Sequence, residues 1–132
     1  MITGYGQSEL DDYVEKAASL QDRYVVNDPN YHTGMYFRSD HFAFAAKGVP
    51  SLYARGNIDN RKFGKEWTAA KENEYIENRY HRPTDNYDPG NWNFEGIAED
   101  AALAFKIGYD LTTSDYFPEW TDKSEFKLLR NK

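Results

Sequence analysis

Three histidines, His32, His41 and His81, have the widest chemical reach in this 132-residue chain, which contains no cysteine. Without thiolates, a first-row metal has to be held by imidazole nitrogen and carboxylate oxygen. No His-Glu-x-x-His helix occurs, and no two histidines stand at the spacing of one helix face. His81 is the best placed. It lies in Tyr80-His81-Arg82-Pro83-Thr84-Asp85, where Pro83 disfavours helix and Tyr80 and Asp85 are near enough in sequence to be partners. The same spacing also fits an ordinary surface-loop histidine with one hydrogen bond. Ser39-Asp40-His41 holds the three residue types of a hydrolytic relay, but chain neighbours cannot line up as nucleophile, base and orienter. Ser39 is better read as a helix cap and Asp40 as an acid favoured in a first helical turn. There is no Gly-x-Ser-x-Gly elbow and no phosphate-binding Gly-x-x-x-x-Gly-Lys-Ser/Thr loop. Asp115, Asp122 and Glu125 lack calcium-loop spacing and read as a solvated face.

The elements that must position these residues follow from periodicity and turn signals. Met1–Gln7 reads as a loop. Ser8 with Asp11 resembles a capping box, and Leu10, Tyr13, Val14, Ala17 and Leu20 predict an amphipathic helix over 9–21. Tyr24–Val26 is a short strand or extended lead, stopped by Asn27-Asp28-Pro29-Asn30. Ser39 caps a short helix over Asp40–Lys47 that is apolar on most sides, and Gly48 suits the left-handed position that ends it. Val49–Ala54 reads as a strand with Pro50 near its start. Residues 56–79 are polar and least regular, with a helical turn or two over Glu72–Asn78. Phe94, Ile97, Ala98, Ala101, Ala104, Phe105, Gly108 and Leu111 line a helix from about 93 to 111, capped by Asn91 or Asn93. The tail over 112–132 offers Tyr116, Phe117, Trp120 and Phe126 for docking.

Length suits one domain. Aromatic residues make up 17% of the chain against an apolar total of only 39%, so a folded domain is expected, with a core thin in Leu, Ile and Val. A net charge of -6 with no strong basic cluster disfavours nucleic acid, and no stretch approaches a membrane span. The first 20 residues are acidic and amphipathic, unlike a signal peptide. Two strands make a poor sheet alone, so the α/β pattern expects a further sequence partner or pairing with a second copy in a homo-oligomer.

Arg38-Ser39-Asp40-His41 through Gly48-Val49-Pro50, followed by Tyr80-His81-x-x-x-Asp85, resembles the two corresponding blocks of di-zinc aminopeptidases. That family of zinc-dependent exopeptidases includes bacterial leucyl aminopeptidases and is related to glutamate carboxypeptidase II. Phe117-Pro118-Glu119-Trp120 and Ser124-Glu125-Phe126 are similar to members with long C-terminal tails. The resemblance implies the C-terminal portion of a three-layer α/β/α zinc-exopeptidase fold with a mostly parallel mixed sheet. It implies one partial peptidase domain over 1–132, with 112–132 packed on it as a tail. It further implies two zinc ions, bridged by an Asp carboxylate and a water, which activate water against an N-terminal peptide bond. His81 then corresponds to the last zinc-binding histidine and Tyr80 to a catalytic neighbour that contacts substrate or the developing oxyanion. Asp85 corresponds to a loop-holding residue, while Ser39, Asp40 and His41 shape the pocket floor.

The family pattern also needs an upstream His, a bridging Asp, a Glu-Glu pair and another Asp. The chain has no Glu-Glu dipeptide. It is therefore expected to be the C-terminal part of a longer peptidase, binding zinc weakly and inactive by itself. Its expected partners are a peptide substrate and the missing N-terminal part of the same protein; the compartment stays open, a secreted or periplasmic parent being one reading. Carboxypeptidase or aminoacyl-cyclising chemistry stays open at related sites. A different class, a non-catalytic interaction domain with exposed Tyr and Trp as its recognition surface, fits the aromatic content.

Overall fold

Leu10, Val14, Ala17 and Ala18 recur on one side of α1 (Leu10–Ser19), and all four are buried. The computed structural model that establishes this describes residues 1–56 and 58–130. Ser8 and Asp11 form no capping box, since α1 begins without a side-chain cap. The Asp11 carboxylate instead accepts the Gly6 N–H at 2.6 Å, tying the opening loop to the helix. Burial pushes the Asp11 carboxyl up to about 6, against the pull of that amide.

Inside the opening segment read as a loop lies β1 (Ile2–Thr3). It pairs antiparallel with β2 (Tyr53–Ala54), placing Ile2 opposite Ala54 and Thr3 opposite Tyr53. On its other side Ile2 donates to the Val26 carbonyl at 2.9 Å and accepts from Asp28 N–H at 3.0 Å, so Tyr24–Val26 is an extended flank with a single parallel bridge at Asn27. The expected mostly parallel mixed sheet and three-layer α/β/α arrangement are therefore overturned. The chain is mostly α-helical, with a small, open, two-stranded antiparallel sheet among the described residues. The physical reason is pairing. Apolar extended runs look like strands in a sequence, but Val49–Leu52 finds no ladder; Pro50 has no N–H to give, and Leu52 packs on the core.

The residues divide into two compact units, Met1–Arg55 with Ala98–Lys132 and Gly56–Ile97. The first holds two apolar clusters. One joins Ile2 and the buried side of α1 to Leu103 and Ile107 of α4 (Glu95–Thr112). The other joins Tyr36, Ala45, Trp120 and Phe126, with Phe42 packed against them. Ala45 belongs to α2 (His41–Ala45), which is less enclosed than its composition suggests: Phe44 is 62% exposed, and Ser39 makes no side-chain cap. Gly48 is left-handed (φ +79°), and a Cβ there would lie 2.5 Å from the Arg130 nitrogen. Its carbonyl accepts the Trp120 indole N–H at 2.9 Å, which seats the tail segment beside α2. Tyr116 donates its hydroxyl to Glu9, holding the start of the tail, while Phe117 is exposed.

α3 (Gly64–Asn78) contains the helical turns expected over Glu72–Asn78 but starts well before them, in the stretch read as least regular. It runs for 15 residues with none buried, so no apolar stripe marks it. Local chemistry builds it instead. Asn60 Oδ1 accepts the N–H groups of Lys62 and Phe63 at 3.0 and 3.1 Å, and Lys71 pairs with Glu74 one turn on at 2.6 Å. α4 starts on Asn93, whose Oδ1 accepts the Glu95 N–H at 2.8 Å. Its buried side is Leu103 and Ile107; of the apolar stripe that marked the helix, Leu111 packs on the core, while Ile97, Ala101, Ala104 and Phe105 are exposed.

Candidate functional site

α3 ends where Arg79 and Tyr80 both donate to the Tyr75 carbonyl at 2.9 Å, a crowded acceptor that closes the last turn. Thr84 Oγ1 donates to the Asn78 carbonyl at 2.6 Å, satisfying another terminal acceptor. Arg82 N–H then donates to Arg79 O at 2.8 Å and Asp85 N–H to Arg82 O at 3.0 Å, so the chain coils tightly around His81. His81 takes φ +56°, one of two non-glycine residues with positive φ among those described. A side chain in that region costs about 1–2 kcal/mol, and histidine visits it more readily than most. The Tyr80 ring stacks on the imidazole with centroids 4.0 Å apart and planes at 21°. One imidazole face is thereby covered, in an exposed turn, and no hydrogen bond engages its nitrogens among the described residues. Asp85 does not reach His81; its Oδ2 accepts the Tyr75 hydroxyl at 2.9 Å. That bond raises the Tyr75 phenol above its ordinary value.

His41 has the opposite surroundings. Its imidazole stacks on Tyr53 at 4.6 Å and meets Tyr36 edge-on at 4.5 Å. Both ring nitrogens are buried without a hydrogen-bond partner, as is the Tyr36 hydroxyl. Desolvation lowers the His41 pKa, since the cation would lose water and gain no acceptor. Ser39 and Asp40 therefore form no relay with His41, and adjacency in the chain brings no shared hydrogen bond. Lys47 to Pro50 line a different feature of the first unit, an open hollow of about 750 Å³ walled also by Leu10 and Leu111. Ser39, Asp40 and His41 do not line it. His32 sits in a short 3₁₀ turn, exposed and edge-on to Tyr31 at 6.0 Å.

The nominated residues thus fall into two groups, Ser39, Asp40 and His41 in the first unit and Tyr80, His81 and Asp85 in the second. Tyr75 was missed. The available signal was its place in the helical turns expected over Glu72–Asn78, five residues before Tyr80 and ten before Asp85. A zinc site needs at least three protein donors. Among the described residues no group of three His, Asp or Glu could hold a metal ion, so the donors present do not fit a complete centre. No described helix is long and apolar enough to cross a membrane.

The exposed His81 on its helix-ending turn, stacked by Tyr80, offers a single imidazole and no complete metal centre among the described residues. The chain belongs to peptidase family M28, whose family model matches residues 1–106 and so includes both Arg38–Pro50 and Tyr80–Asp85. No curated protein and no solved structure matches the chain.

Proposed function

We propose that this chain supplies one metal-binding imidazole, His81, to the two-zinc centre of an exopeptidase acting on N-terminal peptide bonds. The observation that carries the reading is the exposed His81 ring, fixed in a left-handed turn with one face covered by Tyr80. Tyr80 is proposed to contact the substrate, and Asp85 to hold the turn through its bond to Tyr75. Zinc and the aminopeptidase direction follow from resemblance in the two sequence blocks. A lone imidazole cannot hold a catalytic zinc, so the remaining donors are proposed to come from sequence beyond these residues. The exposed Ile97, Ala101 and Phe105 on α4 support the same reading, because an apolar helix face of that kind calls for further packing. Self-association through that face is the second reading, and light scattering across a concentration series separates a monomer from it.

The test has two arms. The gene's reading frame ahead of Met1 is expected to encode the His, Asp, Glu-Glu and Asp set. The purified chain, given zinc, is expected to leave aminoacyl anilides intact. Chelator-sensitive hydrolysis by the chain alone, or an upstream frame without those donors, overturns the proposal.

A further inference from the structure

The open hollow of the first unit, about 750 Å³, is large enough for a small organic ligand. Leu10 and Leu111 form part of its wall, together with Val49, Pro50, Phe117 and Pro118. Val49 and Phe117 are 49% and 75% exposed, so two large apolar side chains face solvent beside one concavity. The segments that build the wall are tied to one another. Trp120 donates its indole N–H to the Gly48 carbonyl at 2.9 Å, and Arg130 donates from Nη1 to the Pro118 carbonyl at 2.6 Å. The backbone of Arg130 lies so close to Gly48 that a Cβ on the glycine would meet its nitrogen at 2.5 Å. The hollow is therefore held open by contacts between chain segments.

The polar groups of the wall are engaged, with two exceptions. Val49 N–H donates to the Phe44 carbonyl at 3.1 Å, and Pro50 and Pro118 have no N–H. Thr112 Oγ1 donates to the Tyr109 carbonyl at 3.0 Å, Ser114 Oγ accepts the Tyr116 N–H at 3.0 Å, and the Tyr116 hydroxyl donates to Glu9 at 2.6 Å. What remains is cationic. No ion pair engages the Lys47 ammonium among the described residues, and the Arg130 guanidinium has donors beyond the one that meets Pro118. No Asp or Glu is among the described residues that line the hollow, in a chain whose net charge is -6. Glu9 lies outside the wall; its pKa is lowered by the Tyr116 hydroxyl and the Glu119 N–H, with a smaller pull from Arg130. An apolar wall that bears two cations and no acid complements a ligand with an apolar body and one negative head.

We propose that this hollow binds a medium-chain aliphatic carboxylate, its tail against the apolar wall and its head paired with Lys47 and Arg130. The site is separate from the residues nominated for peptide hydrolysis and stands whether or not His81 meets a metal.

Isothermal titration calorimetry of the purified chain with octanoate, octanol and octylammonium at low salt tests the proposal. Octanoate is expected to saturate one site, octanol to bind more weakly and octylammonium most weakly. Lys47→Glu, at an exposed position, is expected to weaken octanoate by about fivefold and to leave octanol unchanged. Arg130→Gln, which keeps an amide N–H for the Pro118 carbonyl, is expected to act in the same direction. Phe117→Ala is expected to weaken octanoate and octanol alike, by about fivefold. Absent octanoate saturation, octanol binding as tight as octanoate, or wild-type octanoate affinity in both charge variants overturns the proposal. Octanoate refused by a chain that light scattering shows to be a dimer, with Phe117→Asp a monomer, assigns the hollow to a second copy and likewise overturns it.

Discussion

His41 and His81 are each flanked by a stacked tyrosine, yet the two regions that hold them use the imidazole in opposite ways. In the first unit His41 is packed between Tyr36 and Tyr53 with both nitrogens shut off from water and from partners. In the second, His81 is stacked on one face only and stands exposed on a strained turn. The first arrangement turns a histidine into an aromatic packing residue and suppresses its charge. The second leaves its nitrogens available at the expense of backbone strain. A stacked histidine is therefore no guide to chemistry until the fate of its nitrogens is known.

The sharpest separation of the two regions comes from truncating the first unit's core. Trp120 is buried and bonded to Gly48, so Trp120→Ala is expected to cost about 3–5 kcal/mol. Chemical denaturation followed by circular dichroism measures it, and the His81 ring shifts in nuclear magnetic resonance spectra should stay in place until that unit unfolds. A His81 ring environment that changes with the mutation would show that packing of the first unit helps to set it.

Smaller effects arise from groups that the first unit holds away from water. Asp11 titrates at about 6 when folded, above the unfolded value near 3.9, so its contribution is greatest below the unfolded value and is lost as pH rises through about 6. Asp11→Asn keeps an acceptor for Gly6 and is expected to stabilise the chain at pH 7 by about 1 kcal/mol, allowing for solvent screening. The gain should vanish near pH 4. His41 has the opposite sign. Its folded pKa is depressed, so its contribution is present above the ordinary histidine value and is lost as pH falls through the folded one. His41→Phe fills the same nest without orphaned nitrogens and is expected to add about 1 kcal/mol at neutral pH. The advantage should grow as the solution is acidified. Melting curves from pH 4 to pH 8 on each variant against wild type check both signs.

The smallest stability effect is expected at His81 itself. Glycine relieves the left-handed backbone, so His81→Gly should change stability by no more than about 1 kcal/mol. A much larger loss would show that the imidazole is a packing residue after all, like His41.

Much of this was legible in the sequence where burial leaves a periodic trace. α1 announced itself through Leu10, Val14 and Ala17, and Asn93 and Gly48 took the capping and left-handed roles that their chemistry suggests. The family blocks likewise drew attention to His81. What stayed hidden had no periodic trace. α3 is built from exposed residues with helix-compatible side chains, so hydrophobic patterning had nothing to report. β1 is two residues long, too short for alternation, and its partners lie far along the chain. Of the strand expected over Val49–Ala54 only Tyr53–Ala54 pairs, because an apolar run shows readiness to pair, not the presence of a partner. On α4 the sequence offered apolar residues on more than one side, and periodicity chose the side that faces solvent. Tyr75 was missed although helical turns were expected over Glu72–Asn78, because its bond to Asp85 depends on how the chain folds back after the helix.

The most direct test of the contrast between the two histidines is a zinc titration of the intact chain followed on its imidazole ring nitrogens. His81 should respond progressively and saturate weakly, while His41 stays unmoved throughout; a response from His41 with His81 silent would contradict the assignment of His81 as the metal-binding residue.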